Sequence, residues 1–350
     1  MNFNAEMNFT DSAGRKIINR RIFALGGPTC SGKTGMAIAL AQSLGGQIIS
    51  ADSRQIFRHM TIGTAKPSSR ELSLVPHHLI DIVNPDQEFT VSDFQLRAME
   101  IICSIPLSVP VFVVGGTGLY LRSIIEGLAH LPGPDQDFRD RMEKIDSKEL
   151  HALLEAKDPV RAGEVHPRNK KRIIRSLEII EATGRPFSEN ISGVRIDTGL
   201  VSMQVALTWN RETLYRRIDE RVCEMMDQGF VQEVRKLLQM GYGRDLNSMT
   251  SIGYRQIIDH IEGNVNLQDT LESIQKETRN FARRQLTWFR GDSQWKWFDL
   301  SQDGFDVTLN KLSVMAKDFF RAEGGSGQHP INPGPPPGPA QGGIDAEKNI

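Results

Sequence analysis

Residues 23–40 of this 350-residue chain read FALGGPTCSGKTGMAIAL, and this stretch decides the fold class. It carries the G-x-x-x-x-G-K-[ST] spacing of a phosphate-binding loop, with a strand-like run before it and a helix-like run after it. The backbone amides of such a loop and the N-terminus of the following helix attract phosphate. The lysine neutralises the phosphate, and the final hydroxyl is placed for Mg²⁺. Phosphate binding is therefore predicted for Gly27, Pro28, Thr29, Cys30, Ser31, Gly32, Lys33 and Thr34, with Thr34 as the metal ligand.

Three apolar segments predict a parallel sheet around this loop. They span residues 21–25, 47–50 and 109–114, and the last two are continuous apolar runs, as in strands buried on both faces. Helical patterns lie between them, for example over residues 91–102. The alternation predicts an α/β fold: a P-loop NTPase-like, doubly wound parallel sheet with the phosphate loop after its first strand.

The remainder of the chain predicts a helical insertion within this core. Strand signals almost vanish over residues 127–198, where charged helical patterns span 138–144, 148–156 and 170–182. Beyond the insertion, a strand is predicted at 201–208 and helices at 214–240, 254–262 and 267–289. The expected organisation is an arm (1–20), the first part of the core (21–126), a mostly helical insertion (127–198), the second part of the core (199–322) and a Gly/Pro-rich disordered tail (323–350).

Composition narrows the class of protein. The hydrophobic content of 39% and charged content of 24% are typical of a globular protein with a substantial core. Cys30, Cys103 and Cys223 are widely spaced and form no metal-binding pattern, which indicates reduced thiols. A net charge of −1 gives no strong overall attraction for nucleic acid, so RNA binding requires local basic segments. No apolar run approaches the roughly 20 residues of a membrane span, and we expect a cytoplasmic monomer with no membrane partner.

A second strand end supplies a candidate catalytic base. The segment IISADSRQIFRHMTIGTAKP (48–67) places Asp52 just after the predicted strand 47–50. Parallel strands end at the same sheet edge, so Asp52 should lie beside the phosphate loop, where a carboxylate can act as general base. In a simpler interpretation, Asp52 or Ser53 caps a helix that begins near Gln55. Spacing alone does not separate the two.

The next predicted strand lacks an acidic residue at its end. The segment VPVFVVGGTGLY (109–120) runs into Gly115, Gly116 and Thr117. An ATPase of the P-loop class carries an aspartate after such a strand to hold its metal. Its absence argues against a motor or signalling NTPase and leaves two options: a small-molecule kinase, or an enzyme that binds the diphosphate of some other molecule.

Six segments together resemble the tRNA dimethylallyltransferases, the IPP transferase family. The phosphate loop alone is unspecific, but the DS-x-Q and IGTAKP stretch together with GGTGLY is highly specific. The segments occur in order over most of the chain: GPTCSGKT (27–34), SADSRQIFRHMTIGTAKP (50–67), VVGGTGLYLRSIIEGL (113–128), HPRNKKRIIRSLEI (166–179), TSIGYRQ (250–256) and FARRQLTWFR (281–290).

The resemblance implies transfer of a dimethylallyl group from dimethylallyl diphosphate to tRNA. The acceptor would be the exocyclic amine of the adenosine on the 3′ side of the anticodon, in tRNAs that read codons beginning with U. The phosphate loop would then hold the donor's diphosphate, with Mg²⁺ on Thr34. Asp52 would accept the amine proton, Lys33 would stabilise the leaving group and Thr117 would lie near the reacting centre. Arg221 matches a family arginine that contacts the diphosphate; without the resemblance, a solvated helix face would be the favoured interpretation.

The resemblance also implies contacts with the tRNA anticodon stem-loop. The basic run 168–175 matches a tRNA-contacting segment, although a charge run is usually a solvated face. In residues 276–297, five aromatic residues alternate with basic ones, and such aromatics are more often core residues than base-stacking platforms. Gln55 is expected to read a base edge. The implied tRNA contacts are Asp52, Ser53, Arg54, Gln55, Thr117, Arg139, Lys171, Arg172, Ile173, Ile174, Arg175, Thr250, Ser251, Ile252, Gly253, Tyr254, Arg255 and Arg283.

Two positions depart from the family pattern, and two other functions remain open. Cys30 stands where relatives often carry a small residue, and Asn210 stands where many carry Asp. No Cys/His pair follows the core, so the zinc-finger extension of eukaryotic relatives is not expected. RNA prenyl transfer is the leading hypothesis. The alternatives are a small-molecule kinase, in which Asp52 activates a hydroxyl, and an RNA-binding module with a vestigial phosphate loop.

Overall fold

A computed structural model describes residues 20–129, 131–192 and 198–322 of the chain. The predicted tail lies outside this part, as does the predicted arm apart from Arg20. Among the described residues, the strands form one parallel sheet in the order β3-β2-β4-β1-β5-β6. The strands are β1 (Arg20–Gly26), β2 (Gln47–Ser50), β3 (His77–His78), β4 (Val111–Val114), β5 (Leu200–Thr208) and β6 (Lys296–Asp299).

Helices connect these strands and form the segment between β4 and β5. Since every strand pair is parallel, all the carboxyl ends of the strands meet at one edge of the sheet. The helices are α1 (Lys33–Leu44), α2 (Ser69–Leu74), α3 (Val91–Ser104), α4 (Gly118–Ile125), α5 (Gln136–Glu143), α6 (Ser147–Lys157), α7 (Pro159–Glu164), α8 (Lys170–Thr183), α9 (Phe187–Ser192), α10 (Arg211–Asp227), α11 (Phe230–Gln239), α12 (Tyr254–Ile261), α13 (Leu267–Arg290) and α14 (Leu300–Arg321).

Both faces of the sheet are covered, as the continuous apolar strands predicted. In β1, Ile22 packs with α3 and α4 on one face, whereas Phe23 packs with α1 and α14 on the other. Alternate residues of a strand point to opposite faces, so a strand covered twice must be apolar throughout. The doubly wound α/β fold predicted from the sequence is therefore confirmed.

Several element boundaries differ from those predicted. The strand predicted at 109–114 begins at Val111, because Pro110 has no N–H to donate. The helix predicted over 214–240 is two helices, since Gly229 takes a left-handed φ of 96° between α10 and α11. The sequence did not predict β6 and α14, and α14 bends at Gly304.

The helices α5 to α9 pack around a small core of their own. At its margin the carboxylate of Glu178, whose side chain is 2% exposed, accepts bonds from Arg139 at 2.8 Å and from Arg175 at 2.5 Å. Burial raises the pKa of Glu178, but these guanidinium groups and the Asp135 amide outweigh it and lower the pKa overall. Arg175 also donates to the Pro132 carbonyl, so this network ties α5 and α8 to the segment that precedes α5. Throughout the described ranges, no helix is long and apolar enough to cross a membrane.

Candidate active site

A cavity of about 710 Å³ opens at the carboxyl edge of the sheet. Its floor is formed by the loops that follow β1, β2 and β4, because these strands are neighbours in the sheet and end side by side. Its walls come from α10, α13 and the loop 61–67. Elements far apart in sequence therefore contribute to one pocket, which has the size of a small-molecule site.

The phosphate loop joins β1 to α1 at one end of this cavity. Gly27 has a φ of +134°, and a Cβ there would lie 2.3 Å from the Leu207 carbonyl oxygen, so the close approach of β5 requires glycine. Gly32 is left-handed at φ 92° and immediately precedes α1. Cys30 also has a positive φ of 61°, and its carbonyl accepts a hydrogen bond of 3.0 Å from Nε of Arg217. Helix α10 thus holds the loop from outside.

Two cations converge on the loop. The Lys33 ammonium group folds over it and donates to the Pro28 carbonyl at 2.5 Å. Burial lowers the pKa of Lys33 to about 8; the nearby Asp52 opposes this shift, and the charge of Arg221 adds to it. Arg221 lines the same cavity from α10. The two positive charges repel each other beside the backbone amides of the loop, so a bound polyanion would offset this repulsion.

Asp52 faces this site from the end of β2. Its Oδ1 accepts from the backbone amides of Arg54 at 2.8 Å and Gln55 at 3.4 Å. These bonds close a turn and not a helix, so the interpretation of Asp52 as the cap of a helix near Gln55 is wrong. Within the three described ranges, no hydrogen bond uses the other carboxylate oxygen, which is left for a substrate. Asp52 and the phosphate loop line one cavity, and the charge of Asp52 acts on Lys33 across it.

Thr117 connects the β4 turn to the Asp52 segment. Its hydroxyl oxygen accepts the Ser53 amide at 3.0 Å and donates to the Ser53 hydroxyl at 3.3 Å. Thr117 precedes α4 but makes no side-chain cap hydrogen bond to it, so it is not an ordinary helix cap. No carboxylate follows β4, as the sequence indicated, and Gly115 lies against Ala51.

The side chain of Gln55 is used within the protein. Its amide oxygen lies 3.2 Å from the hydroxyl of Ser50, which donates to it. Its amide nitrogen donates to the carbonyls of Thr64 at 3.3 Å and Ala65 at 3.1 Å. Gln55 therefore supports the loop 61–67, and its predicted contact with a base edge stays a prediction.

The same loop is anchored from α11. The Glu233 carboxylate accepts from three consecutive amides, those of Thr61 at 2.9 Å, Ile62 at 2.8 Å and Gly63 at 3.2 Å. It also accepts from the hydroxyl of Tyr254 at 2.6 Å. Burial, followed by the charge of Glu233, raises the pKa of Tyr254, so this phenol stays a donor. The Glu233 carboxylate and the Gln55 amide therefore hold the same wall of the cavity.

Comparison with known proteins identifies the family. The family model described as IPP transferase matches residues 55–292, and the one described as isopentenyl transferase matches residues 20–81. The chain belongs to the IPP transferase family. It is 44% identical to a tRNA dimethylallyltransferase of Syntrophobacter fumaroxidans, over 82% of this chain and 85% of the relative. It is 40% identical to one of Geobacter sulfurreducens, over 89% of this chain and 99% of the relative.

Solved structures agree with this family assignment. A tRNA isopentenylpyrophosphate transferase from Bacillus halodurans superposes with a TM-score of 0.64 at 37% identity, covering 86% of this chain and 97% of that one. A eukaryotic dimethylallyltransferase acting on tRNA superposes with a TM-score of 0.73 at 26% identity, covering 86% of this chain and 79% of that one. The resemblance inferred from the six sequence segments is therefore confirmed.

The structure divides the predicted tRNA contacts of this IPP transferase into exposed and buried residues. In the basic run on α8, Lys171 and Arg172 are exposed, whereas Arg175 is held by Glu178. Five of the predicted contact residues are buried, and their contact with tRNA stays a prediction. These are Ile173 and Ile174 in the core formed by α5 to α9, and Ser251, Gly253 and Tyr254 beside α11 and α12; Ser251 also lines the cavity.

The remaining predicted contacts stand in three settings. Asp52, Ser53, Arg54, Thr117, Thr250 and Ile252 line the cavity, together with Gln55. Arg139 and Arg255 are partly or fully exposed but paired, with Glu178 and Glu277 respectively. Arg283 is exposed on α13 and donates only to Asn280 at 3.1 Å among the described residues. The aromatic residues of 276–297 are mostly core, as expected: Phe289 and Trp295 are buried, while Phe281 lines the cavity.

Three site residues of this IPP transferase were missed from the sequence. Arg217 precedes Arg221 by four residues, a spacing that predicts a shared helix face and could have revealed it. Gln285 lies within the segment 281–290, but the sequence does not indicate its partners. These are Thr29 and Gly116, which precede it by 256 and 169 positions. Glu233 likewise acts only through contacts that the fold creates. At the departing position Asn210, the side chain caps α10 through a 2.9 Å bond from the Thr213 amide.

Oxygen donors suited to Mg²⁺ are present at the phosphate loop. Thr34 and Asp52 both line the cavity and offer a hydroxyl and a carboxylate. Mg²⁺ prefers oxygen ligands and usually takes only one or two from the protein, with water and phosphate oxygens completing its shell. In the part of the chain that the structure covers, no group of three or more acidic, His or Cys side chains forms a dedicated metal site. The donor set therefore fits a metal that arrives with a diphosphate.

Proposed function

We propose that this chain is a tRNA dimethylallyltransferase, which transfers a dimethylallyl group from dimethylallyl diphosphate to an adenosine amine beside the tRNA anticodon. The observation that carries the proposal is the position of Asp52 across one cavity from Lys33 and the phosphate loop. A P-loop without an acidic residue after β4 is better suited to hold a leaving diphosphate than to hydrolyse a nucleotide.

The leaving-group half of the reaction is assigned to the phosphate loop. As the bond between the allylic carbon and oxygen breaks, negative charge grows on the diphosphate. The loop amides, Lys33 and Arg221 surround the position where this charge develops, and preorganised cations and N–H donors stabilise it without reorganising. Mg²⁺ held by Thr34 would neutralise part of the same charge when bound.

The acceptor half is assigned to Asp52. An adenine amine is a weak nucleophile because its lone pair is delocalised into the ring. As its nitrogen bonds to the allylic carbon, the amine becomes acidic and its proton passes to the free oxygen of Asp52. The two amide bonds to Oδ1 fix the carboxylate so that this oxygen faces the cavity. Thr117 holds the neighbouring Ser53 amide and so keeps the turn in place.

The acceptor adenosine must leave its stack to enter the cavity. The target lies in a folded anticodon arm, and enzymes that act on a base expose it by extrusion. The cavity is large enough for a base and a five-carbon group, at about 710 Å³. We assign phosphate contacts on the anticodon arm to the exposed Lys171 and Arg172 of α8, and to Arg283 of α13.

The test uses dimethylallyl diphosphate labelled in the allyl group, unmodified tRNA and Mg²⁺. Label in the RNA, located at the adenosine next to the anticodon, supports the proposal. If label never enters RNA while ATP is consumed on a small alcohol, the protein is a kinase and the proposal is wrong. RNA binding without either reaction would indicate an RNA-binding module, and the proposal would again be wrong.

A further inference from the structure

One buried glutamine joins the two halves of the cavity. Gln285 of α13 is 7% exposed. Its amide oxygen accepts from the Thr29 backbone N–H in the phosphate loop at 2.9 Å. Its amide nitrogen donates to the Gly116 carbonyl in the β4 turn, also at 2.9 Å. The two ends of one planar amide therefore fix the separation of two loops that belong to different strands.

The Gly116 turn is in turn coupled to the proposed base. The Thr117 amide donates to the Ala51 carbonyl at 3.3 Å, and the Thr117 hydroxyl oxygen accepts the Ser53 amide. A Cβ on Gly115 would lie 2.0 Å from the Ala51 oxygen, so the turn rests directly on the chain before Asp52. A shift of the turn must therefore move the Asp52 segment.

We propose that Gln285 is a positioning residue that sets the distance between the leaving-group site and the acceptor site. The inference rests on the proposed function. Both polar ends of Gln285 are committed to backbone, so it acts on the reaction through Thr29 and Gly116 and not by touching the reacting atoms.

The geometry explains why glutamine occupies this position. One neighbour offers an N–H and the other a carbonyl, so the bridge needs an acceptor and a donor on one side chain, which a primary amide supplies. The fit is close, because a Cβ added to Gly116 would lie 2.3 Å from Nε2 of Gln285. A carboxylate would match Thr29 but would oppose the Gly116 carbonyl. A thioether would match neither.

The experiment compares Gln285→Met and Gln285→Glu with the wild type. The matched control is Gln275→Met, on the same helix, where the amide donates to the Asp219 carbonyl of α10 at 3.3 Å. For each protein, three quantities are measured: the single-turnover rate of dimethylallyl transfer to saturating tRNA, the Kd values for donor and tRNA, and the thermal midpoint.

We expect the single-turnover rate of Gln285→Met to fall about 10²-fold, the cost of misplacing reactants by roughly 1 Å. Both Kd values should change less than 3-fold, because each half-site keeps its own contacts. The Gln285→Glu variant should lose as much at high pH and regain rate as pH falls, since a protonated carboxyl again donates to the Gly116 carbonyl. The wild type and Gln275→Met should show no such recovery.

Three results would overturn the inference. Rates in both Gln285 variants within 3-fold of the wild type would do so while leaving the proposed function intact. So would a fall in thermal midpoint that accounts for the lost rate without any recovery of Gln285→Glu at low pH, since that describes a purely structural residue. Absence of transfer in the wild type would overturn the proposed function and this inference together.

Discussion

The basic run on α8 separates into two kinds of residue, and each should respond differently to mutation. Lys171 and Arg172 are exposed and form no ion pair within the described residues. Arg175, with a side chain 33% exposed, is paired with the buried Glu178. We therefore expect Lys171→Ala with Arg172→Ala to weaken tRNA binding without changing stability, and Arg175→Ala to destabilise the protein.

The size of the first effect follows from counterion release. Each phosphate neutralised contributes a slope of about 0.7 to 0.9 in the plot of log K against log salt. Losing two contacts should flatten the slope by about 1.4 to 1.8, which is roughly a 25- to 60-fold loss of affinity at 0.1 M salt that vanishes towards 1 M.

The size of the second effect follows from the buried carboxylate. Removing one partner of a buried ion pair costs about 3–5 kcal/mol. Arg175 is one-third exposed and Arg139 remains as a partner, so we expect a loss of about 2 kcal/mol in the free energy of unfolding. Affinity should then fall only through the altered fold of the insertion.

The assay is filter binding of an unmodified anticodon stem-loop between 0.05 and 0.5 M salt (about one decade around the screening range), with urea unfolding of each variant. The control for charge removal is Lys311→Ala with Lys317→Ala, two exposed lysines on α14, which packs against α1. An unchanged salt slope in the α8 double variant would show that this face is exposed to solvent and does not bind RNA phosphates. A stable Arg175→Ala variant with a reduced slope would show that this arginine binds RNA directly.

Three further results are expected. Asp52→Asn keeps an oxygen that accepts the turn amides but removes the proton acceptor. The single-turnover rate of transfer should therefore fall about 10²- to 10⁴-fold, while the Kd for tRNA stays within about 3-fold of the wild type. A near-normal rate would exclude Asp52 as the general base. Burial lowers the pKa of Lys33 to about 8, so its side chain is charged below this pH and neutral above it. The affinity for dimethylallyl diphosphate should therefore weaken as the pH rises through about 8. Lys33→Arg should flatten this pH dependence, and an unchanged dependence would show that another group titrates. Glu233→Gln removes the charge that holds three amides of the loop 61–67, so hydrogen exchange of these amides should accelerate by at least about 10-fold. The control Glu224→Gln, at an exposed residue of the same cavity, should leave the exchange rate unchanged. Equal exchange rates in the two variants would show that the loop does not depend on Glu233.

Much of the fold follows from local pattern. The apolar run at 47–50 gave a strand with those same bounds, and the periodic segment at 170–182 gave α8 to within one residue. In both segments, the spacing of the apolar residues along the chain predicts which face or faces are buried. The pattern failed at Gly229, where one left-handed residue interrupts an otherwise continuous helical period, and at α14, where Gly304 breaks the period from within.

The sequence by itself determined the phosphate loop, the strand end that carries Asp52, the absence of an acidic residue after β4, and the family. These features lie within short segments, where spacing and residue type carry the chemistry. The three-residue spacing on α8 already allows the ion pair between Arg175 and Glu178, but only the tertiary structure buried Glu178 and gave it a second partner, Arg139 of α5. It also assigned Gln55 and Gln285 to the framework of the cavity. The Gln285 bonds join residues 256 and 169 positions apart, so they depend on the order of the strands, which no local period records. The Gln55 bonds to Thr64 and Ala65 span nine and ten residues and depend on the path that the loop 61–67 takes.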